Sequence, residues 1–256
     1  MPQAIDHLVI AVPDPHAAVR ELEERLGIAF TSGGRHPGAG TYNRIAFLGE
    51  PYLELIGIED AALASQKPIG AAALRALEAN PSGGLATFAL LDEELEATVT
   101  LLQGSGSSIG SPAHGSRETG DGETVEWWTA TFARLGPEDP PFLIRHARSG
   151  SEWSQEAIDS RRTLPQPAGC VMGLARLELA VPDPGAAAGL YSSQLGLPIE
   201  ALGGDRVAHI GPHTVLLKPS RAGETAATVL ITCGEQPART LDRFGIRFEL
   251  RPPPTS

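Results

Sequence analysis

The sequence predicts an α+β protein built from tandem βαβββ modules, whose mixed sheets curl into cups flanked by helices. Two observations support this fold class. A strand–helix segment occurs twice along the chain, and pairs of strand-like segments follow each helix-like one. A chain of 256 residues is long enough for two medium domains, so several such units fit within it.

The repeated segment lies at residues 5–15 and again at residues 174–184. The first copy reads Ile-Asp-His-Leu-Val-Ile-Ala-Val-Pro-Asp-Pro and the second reads Leu-Ala-Arg-Leu-Glu-Leu-Ala-Val-Pro-Asp-Pro. Aliphatic and β-branched residues favour a strand, and Pro-Asp-Pro ends it. Matched segments at such a distance indicate repeated structural units.

A helix is predicted after each copy of this strand. Residues 16–26 and 185–195 contain alanines and apolar residues at helical spacing, and Gly27 and Gly196 follow them. Glycine adopts the left-handed conformation that ends a helix without steric strain. Each repeat is therefore read as a strand followed by a helix.

Two weaker copies complete the pattern. One has a strand at 84–92 and a helix at 93–102, and the other is truncated, with a strand at 228–232, a helix at 236–244 and a strand at 246–250. A connecting helix is expected within residues 61–80. The remaining strands are predicted at residues 43–48, 52–58, 124–132, 142–146, 206–210 and 214–218.

The modules group into two predicted domains. Residues 1–148 hold two modules, and residues 168–256 hold one module and the truncated one. Residues 149–167 between them are polar, contain prolines and lack a strand pattern, so they are predicted to form a linker with one short helix at 152–159.

Charge and composition restrict the partners. A net charge of −11 disfavours nucleic acid and anionic membranes, and no basic patch offsets it. The chain has no apolar run long enough for a membrane span and no signal-peptide pattern at its start. A cytoplasmic protein with a small-molecule ligand is expected, and a homodimer stays open.

The first half of the chain resembles the glyoxalase-like domain family of the vicinal-oxygen-chelate superfamily, the group related to glyoxalase I, extradiol dioxygenases and bleomycin- and fosfomycin-resistance proteins. The resemblance spans roughly the first 147 residues, and the second half shows it only in its first strand and helix. The motifs that carry it are Ile5-Asp-His7, the segment from Gly33 to Asn43, Tyr52-Leu-Glu54-Leu-Ile56, Gly115-Ser-Arg117, Trp127-Trp128 and Pro141-Phe-Leu-Ile144.

This resemblance implies a cup that commonly holds a divalent metal between a first-strand residue and a last-strand glutamate of each module. His7 and Glu54 match these positions in the first module. Imidazole and carboxylate suit zinc, nickel, manganese or iron. His36, His114 or His146 are candidates for a third ligand.

The other modules depart from the ligand pattern. By alignment the second module has Ala86 and Ile144 at these positions, and neither can bind a metal. The third module has Arg176 and an aliphatic residue near Leu216. A metal-free reading therefore stays open, in which His7 and Glu54 form a buried hydrogen bond or an acid–base couple.

Strand alternation supports the same two residues independently. It places His7 on the face opposite Leu8, Ile10 and Val12, which are expected to pack under the helices. Glu54 stands within Tyr-Leu-Glu-Leu-Ile, where an ionised carboxylate needs a partner, a hydrogen bond or a metal. Glu54 is accordingly the predicted catalytic residue.

Substrate-binding residues are predicted around this pair. If Leu48 joins the helix-packed layer, alternation turns polar side chains of the preceding strand into the cup. Arginine can clamp an oxyanion, although a surface ion pair is an alternative, and only one of two adjacent tryptophans can point inward. The predicted set is His36, Thr41, Asn43, Arg117, Trp127 and Trp128.

Two functions follow from these residues. The first is a metal-dependent lyase, isomerase or dioxygenase in which Glu54 or a neighbour moves a proton. The second is a metal-free binding protein whose cup holds a hydrophobic or aromatic metabolite. An assembly role for the divergent second half is a third reading.

Overall fold

The computed structural model describes residues 1–31, 33–118, 124–148, 156, 172–221, 226–233 and 238–252. The first half contains strands β1 to β8, helices α1 to α4 and a 3-10 turn. In chain order they are β1 Ala4–Ala11, α1 Pro15–Leu26, β2 Arg35–His36, the 3-10 turn Pro37–Ala39, β3 Thr41–Phe47, β4 Tyr52–Ile58, α2 Ala61–Ala64, α3 Pro68–Ala79, β5 Gly84–Leu91, α4 Leu95–Gly104, β6 Ala113–Glu118, β7 Thr124–Ala130 and β8 Phe142–His146.

The second half continues with one helix and seven strands among the described residues. They are β9 Met172–Val181, α5 Pro184–Leu195, β10 Ile199–Leu202, β11 Asp205–Ile210, β12 His213–Pro219, β13 Ala227–Cys233, β14 Arg239–Arg243 and β15 Ile246–Arg251. The predicted α+β class with tandem modules is confirmed.

The repeated segment forms the same local structure in both halves. Asp14 caps α1 by accepting hydrogen bonds from the backbone N–H groups of His16 and Ala17, and Asp183 caps α5 in the same way. Gly27 and Gly196 end these helices with φ angles of 71° and 65°. The helix ends predicted from glycine are therefore confirmed.

Each half of the chain forms one sheet. The first sheet has the strand order β2-β3-β4-β1-β5-β8-β7-β6, and the second has β10-β11-β12-β9-β13-β15-β14. In each sheet two modules meet at an antiparallel pair, β1 with β5 and β9 with β13. The first sheet curls so far that its edge strands β2 and β6 approach each other.

Helices α1 and α5 contact both halves of the chain. Helix α1 packs on β3 and β4 of its own sheet and also against β14, while Tyr191 of α5 is fully buried beside Phe88 of β5. Gln194 of α5 accepts a hydrogen bond from the backbone of Ser108 at 2.8 Å.

The predicted helix at 236–244 is wrong within the described residues. Arg239–Arg243 forms strand β14, and Phe244 and Gly245, with φ angles of 54° and 64°, turn it back into β15. Two residues with positive φ make a tight hairpin, which the helical reading of this segment overlooked. The fourth module thus consists of strands alone in the part of it that the structure describes.

The other differences concern connections. The region 61–80 holds two helices, α2 and α3, in place of one. The predicted linker at 149–167 and its helix at 152–159 lie outside the described residues apart from Glu156. The domain boundaries at 148 and 168 therefore remain predictions. Among the described residues, no helix is long and apolar enough to cross a membrane.

Candidate functional site

The cup of the first sheet encloses a cavity of about 830 Å³. Its polar lining comes mainly from β1, β3, β4 and β6, with His146 from β8, and its apolar lining includes aromatic rings from both modules. Ligand cavities usually have volumes of about 300–1,000 Å³. The cavity is therefore large enough for a small organic molecule.

His7 points into this cavity beside Asp6, its neighbour in β1. A register shift between Ile5 and His7, where β1 pairs with β5, lets two consecutive side chains face the cup. The Nδ1 atom of His7 lies 2.6 Å from Oδ1 of Asp6. Because an ionised carboxylate only accepts hydrogen bonds, Nδ1 carries the proton and donates it.

Glu54 of β4 faces His7 across the floor of the cup. Its side chain is buried, with the residue 8% exposed. Oε2 of Glu54 lies 3.6 Å from Nε2 of His7, while Oε1 accepts a 2.6 Å hydrogen bond from Nδ2 of Asn43. The predicted pair is therefore together, and Asn43 holds the second carboxylate oxygen.

A hydrogen-bond network fixes Asn43 and His36. The backbone N–H of Gly34 donates to Oδ1 of Asn43 at 2.8 Å, which directs Nδ2 of Asn43 toward Glu54. His36 places Nε2 at 3.4 Å from Nδ2 of Asn43 and Nδ1 at 3.0 Å from Oγ1 of Thr41. Since Nδ2 of Asn43 is a donor, Nε2 of His36 accepts and Nδ1 donates to Thr41.

Electrostatics agree with a neutral His36. Burial lowers the pKa of His36, the carboxylate of Glu54 raises it, and the guanidinium of Arg117 lowers it; the net shift is downward. His36, Thr41 and Asn43 all line the cavity, as predicted for substrate-binding residues. Their roles in binding stay a prediction.

His146 of β8 joins the site through Asp6. Nε2 of His146 donates to Oδ2 of Asp6 at 3.0 Å, so this carboxylate receives a hydrogen bond from one histidine of each module. Burial alone would raise the pKa of Asp6. The charge of His146 and the hydrogen bonds from His146 and His7 outweigh burial and hold that pKa well below its usual range.

Aromatic rings enclose His7. Its ring stacks on Tyr52 with centroids 4.5 Å apart, and Phe142 presents an edge at 5.5 Å. These contacts, with the bond to Asp6, leave His7 a single orientation with Nε2 toward Glu54. The site is thus rigid on the His7 side.

The structure resolves the predictions for Arg117 and the tryptophans. Arg117 is 9% exposed and lines the cavity, and its predicted role in binding an oxyanion stays a prediction. Trp127 faces the cup, with its ring 6.1 Å from that of His36. Trp128 points outward beneath the guanidinium of Arg145, 4.3 Å from its ring centroid, so its predicted role in substrate binding is wrong. Alternation along β7 sends adjacent side chains to opposite faces.

The register of β1 and β5 corrects the alignment of the second module. His7 pairs with Ala89, and Val9 pairs with Thr87. These two pairs are related by the local two-fold axis between the modules, which makes Thr87 the counterpart of His7. The expected residue, Ala86, lies one position away and faces the other side of the sheet.

The counterpart of Glu54 changes in the same way. Glu54 pairs with Val9 on β1, and the matching position of β5, Ala89, pairs with Phe142 on β8. Phe142 therefore stands where Ile144 was expected. The second module still lacks a carboxylate at this position, and the aromatic ring packs against the histidine of the first module.

The third module follows the prediction. Arg176 occupies the His7 position of the repeat, and the register of β9 and β12 pairs Glu178 with Leu216, as Val9 pairs with Glu54. Glu178 forms ion pairs with Arg176 at 2.6 Å and with Lys218 at 3.2 Å. Salt bridges thus replace the histidine and glutamate in the second sheet.

The donor set was tested against the divalent metal that the resemblance implies. His7 and Glu54 offer two donors at one point, and Asp6 fixes the histidine tautomer as outer carboxylates do in metal sites. Within the described part of the chain, no group of three or more His, Cys, Asp or Glu side chains could hold a metal ion. A cation here would need further ligands from substrate or solvent.

His114, a candidate third ligand, instead contacts Glu126 at 2.8 Å on the exposed side of its strand.

Three site residues were missed from the sequence. Asp6 was missed because alternation assigns it to the helix-packed face, and only the register shift turns it inward. Tyr52 and Phe142 flank His7 but carry no recognisable chemistry. A charged residue beside His7 in an otherwise apolar strand was the one available signal, since a buried carboxylate needs partners.

The fold and the site together are those of a vicinal-oxygen-chelate protein with paired modules. Among the described residues, only the first module has a histidine and a glutamate at the two ligand positions. Residues 5–195 match the model of the glyoxalase-like domain family. This chain therefore belongs to the glyoxalase-like domain family, and the resemblance seen in the sequence is confirmed. The match runs past residue 147 and includes α5 of the third module.

Solved structures share the fold at low sequence identity. A hypothetical protein from Staphylococcus aureus has a TM-score of 0.78 and 15% identity, with 97% of this chain and 98% of that chain covered. A mutant of 4-hydroxymandelate synthase from Streptomyces coelicolor has a TM-score of 0.52 and 14% identity, with 92% and 72% covered. A methylmalonyl-CoA epimerase variant from the same organism has a TM-score of 0.42 and 16% identity, with 57% and 99% covered. No curated protein matches the sequence significantly.

Proposed function

We propose that this protein is a small-molecule isomerase or lyase that moves a proton on a carbon next to a carbonyl group. The observation that carries the proposal is the facing pair in the cavity. Nε2 of His7 and Oε2 of Glu54 lie 3.6 Å apart and turn toward each other, while Asp6 and Asn43 hold their outer atoms. Such a pair is suited to general acid–base chemistry.

Glu54 is the proposed base. Its Oε2 accepts the proton from the carbon, the electron pair moves to the carbonyl oxygen of the substrate, and the proton returns to the same or a neighbouring atom. Asn43 keeps Oε1 engaged, so Oε2 is the oxygen that faces the reacting carbon. The rigid placement of both groups lowers the entropic cost of reaching the reactive geometry.

His7 is the proposed partner of this base. With its Nδ1–H donated to Asp6, its Nε2 atom is positioned to receive or return a proton at the substrate or at Glu54. The stacked ring of Tyr52 keeps that atom in the cavity. Asp6 therefore acts through His7 as a positioning residue.

Solvent deuterium exchange tests this proposal even while the product is unidentified. Wild-type protein and Glu54→Gln would be incubated in D₂O with a panel of 2-oxo acids, aldehydes and ketones, and loss of C–H signals followed by proton NMR. We expect exchange that falls at least about 100-fold in Glu54→Gln, within the usual contribution of a general base. Glu59→Gln is the matched control. Glu59 directly follows β4, the strand that carries Glu54, and it forms an ion pair with Arg35 at the surface. Exchange that is unchanged in Glu54→Gln would refute the proposed base.

Binding without exchange would favour the second predicted function, a metal-free binding protein. In that case Glu54→Gln should leave ligand affinity within about tenfold, equivalent to roughly 1.4 kcal/mol. The two functions therefore differ in what the same substitution does. The cavity volume of about 830 Å³ is compatible with both.

A metal-dependent form of this enzyme is a second candidate, favoured by the bond between Asp6 and His7. An outer carboxylate on Nδ1 leaves Nε2 directed at Glu54, which is the arrangement of metal-binding histidines. His7 and Glu54 would hold the cation, and the cation would supply polarisation of substrate oxygens. The proton transfers assigned to Glu54 and His7 do not depend on this cation.

Elemental analysis tests the metal directly. Untagged protein purified without chelator would be compared by mass spectrometry with the His7→Ala, Glu54→Gln double variant, before and after incubation with zinc, nickel, manganese or iron. Near-stoichiometric metal in the wild type that is lost in the double variant would support this candidate. Metal absent from the wild type after incubation, or retained by the double variant, would refute it.

A further inference from the structure

We infer that the ligand of the cavity carries a carboxylate bound by Arg117 and a flat apolar body that packs beside Trp127. This inference deepens the proposed function of the same cavity and rests on it. It assigns the ligand class as an aromatic or similarly flat monocarboxylic acid. The juxtaposition of a buried guanidinium and an inward indole on strands β6 and β7 carries it.

Arg117 is the buried cation of the cavity. Of the residues that the structure describes, three lysine or arginine side chains line it: Lys67 and Arg148 are exposed, and Arg148 forms an ion pair with Glu93, whereas Arg117 is 9% exposed. Burying a guanidinium is unfavourable unless its donors are used. Arg117 has an interaction within the chain, and its five N–H donors leave capacity for a ligand carboxylate as well.

The setting of Arg117 favours an anion. The whole chain carries a net charge of −11. The buried guanidinium of Arg117 places a positive charge in the cavity, opposite in sign to the charge of the protein as a whole. A planar guanidinium matches a carboxylate in a bidentate geometry and gives it orientation as well as attraction. We commit to a carboxylate because one guanidinium neutralises one monoanion, whereas a phosphate dianion calls for a second buried cation.

Trp127 supplies the flat wall. It pairs across the strands with Gly115, and a Cβ atom added at Gly115 would collide with the indole nitrogen. The missing side chain therefore lets the indole lie close against β6. Flat apolar groups pack well on such a surface, and other aromatic rings of the cavity face the same space. These rings are Phe47, Tyr52 and Phe142.

The anchor and the base are within reach of one small molecule. His36 contacts Asn43, which donates a hydrogen bond to Glu54, and the charge of Arg117 also acts on the ring of His36. The ring of His36 also lies 6.1 Å from that of Trp127. Arg117 and Glu54 therefore line one cavity with His36 near both, so one small molecule can contact the guanidinium and the carboxylate.

A matched pair of probes tests the assignment by calorimetry. Indole-3-acetate and indole-3-acetamide have nearly the same shape and differ in charge. We expect the acid to bind wild-type protein at least about tenfold more tightly than the amide, as a charge-assisted bidentate bond predicts. In Arg117→Gln the preference should fall to about twofold or less, and Arg117→Lys should keep part of it because it retains charge without the fork.

Control variants separate this outcome from general effects. Arg134→Gln removes a surface arginine that pairs with Asp139 and should leave the preference intact. Gly115→Ala should weaken the acid and the amide alike, because it displaces the indole and not the guanidinium. Proton exchange reports on Glu54 and the acid–amide preference reports on Arg117, so a failed catalytic proposal would be seen apart from a failed ligand assignment.

Several results would overturn the inference. These are an acid that binds wild-type protein no more tightly than the amide, a preference that survives in a folded Arg117→Gln variant, or no binding of either probe at millimolar concentration. Phenyl phosphate forms a further arm of the titration. Tighter binding of this dianion than of the acid would show a phosphate site instead. Thermal melts of Arg117→Gln and Arg117→Lys verify that both variants fold.

Discussion

The first sheet keeps a histidine, an asparagine and a glutamate around a cavity, whereas the second sheet has Arg176 at the histidine position and Leu216 at the glutamate position, with ion pairs on the neighbouring residues. In the first, His7 and Glu54 are buried and turn toward each other. In the second, Glu178 joins Arg176 and Lys218, whose side chains remain about two-fifths exposed. The same module therefore carries a buried polar cavity in one half and partly exposed ion pairs in the other, so the scaffold alone does not define the site.

The largest expected difference between the cups concerns their carboxylates. Asp6→Asn should reduce proton exchange by roughly 100-fold, because the amide cannot accept hydrogen bonds from both histidines and the tautomer of His7 is no longer fixed. Glu178→Gln in the second cup should leave exchange unchanged. Initial rates measured by NMR for both variants decide this. Equal losses in the two variants would mean that the second cup takes part in the reaction.

The next effect concerns the contact that joins the halves. Nδ1 of His213 accepts a 3.0 Å hydrogen bond from the backbone N–H of Ile5, next to Asp6 in β1. His213→Ala should lower the free energy of unfolding by about 1–3 kcal/mol, because it leaves a buried N–H without its acceptor. Urea titration gives this value, and His209→Ala, at an exposed position of the neighbouring strand, is the control. A loss no larger than in the control would show that the two halves do not depend on this contact.

The same contact predicts a dependence on pH. Burial lowers the pKa of His213 from its usual value of 6.5, and the charge of Glu50 opposes this only in part. The unfolded chain therefore binds a proton that the folded chain refuses, and stability should fall as the pH drops below about 6.5. His213→Asn, whose side-chain oxygen can accept the same hydrogen bond without titrating, should flatten this part of the curve. Melting temperatures of both proteins between pH 5 and 8 measure it, and parallel curves would contradict the assignment.

The smallest expected effect is at the surface between the sheets. Glu21 of α1 forms an ion pair with Arg243 of β14, and both side chains are partly exposed. Glu21→Gln should lower the free energy of unfolding by less than about 1 kcal/mol, because exposed pairs are screened by solvent. Urea titration at low and high salt checks this value. A larger loss of unfolding free energy would mean that this ion pair stabilises the contact between the halves as much as His213 does.

The parts that could be predicted from the sequence are those that short patterns encode. Pro-Asp-Pro and the glycines fix the ends of α1 and α5, and alternation in β1 and β4 turns His7 and Glu54 into the cup. These signals depend on local geometry and hold whatever the strand pairing is. The family motifs add the family because they combine several such signals in order.

The remaining features depend on pairing between distant strands. Asp6 enters the site through a register shift, and Thr87 rather than Ala86 matches His7 because of the same register. One residue of shift reverses the face of a strand side chain, and no local pattern records it. The interaction of His146 with Asp6 joins residues 140 positions apart, so it follows from the closed sheet and not from either segment.

Strand β14, which replaces part of the predicted helix at 236–244, also affects how the protein folds. Strand β14 is covered in part by α1, and their ion pair joins residues 222 positions apart. Because α1 precedes β14 by so many residues, their contact can form only after most of the second half has been synthesised. Long-range closure of this kind slows folding. A second half made without the first would lack this contact with α1, so we expect it to expose the apolar surface that α1 covers.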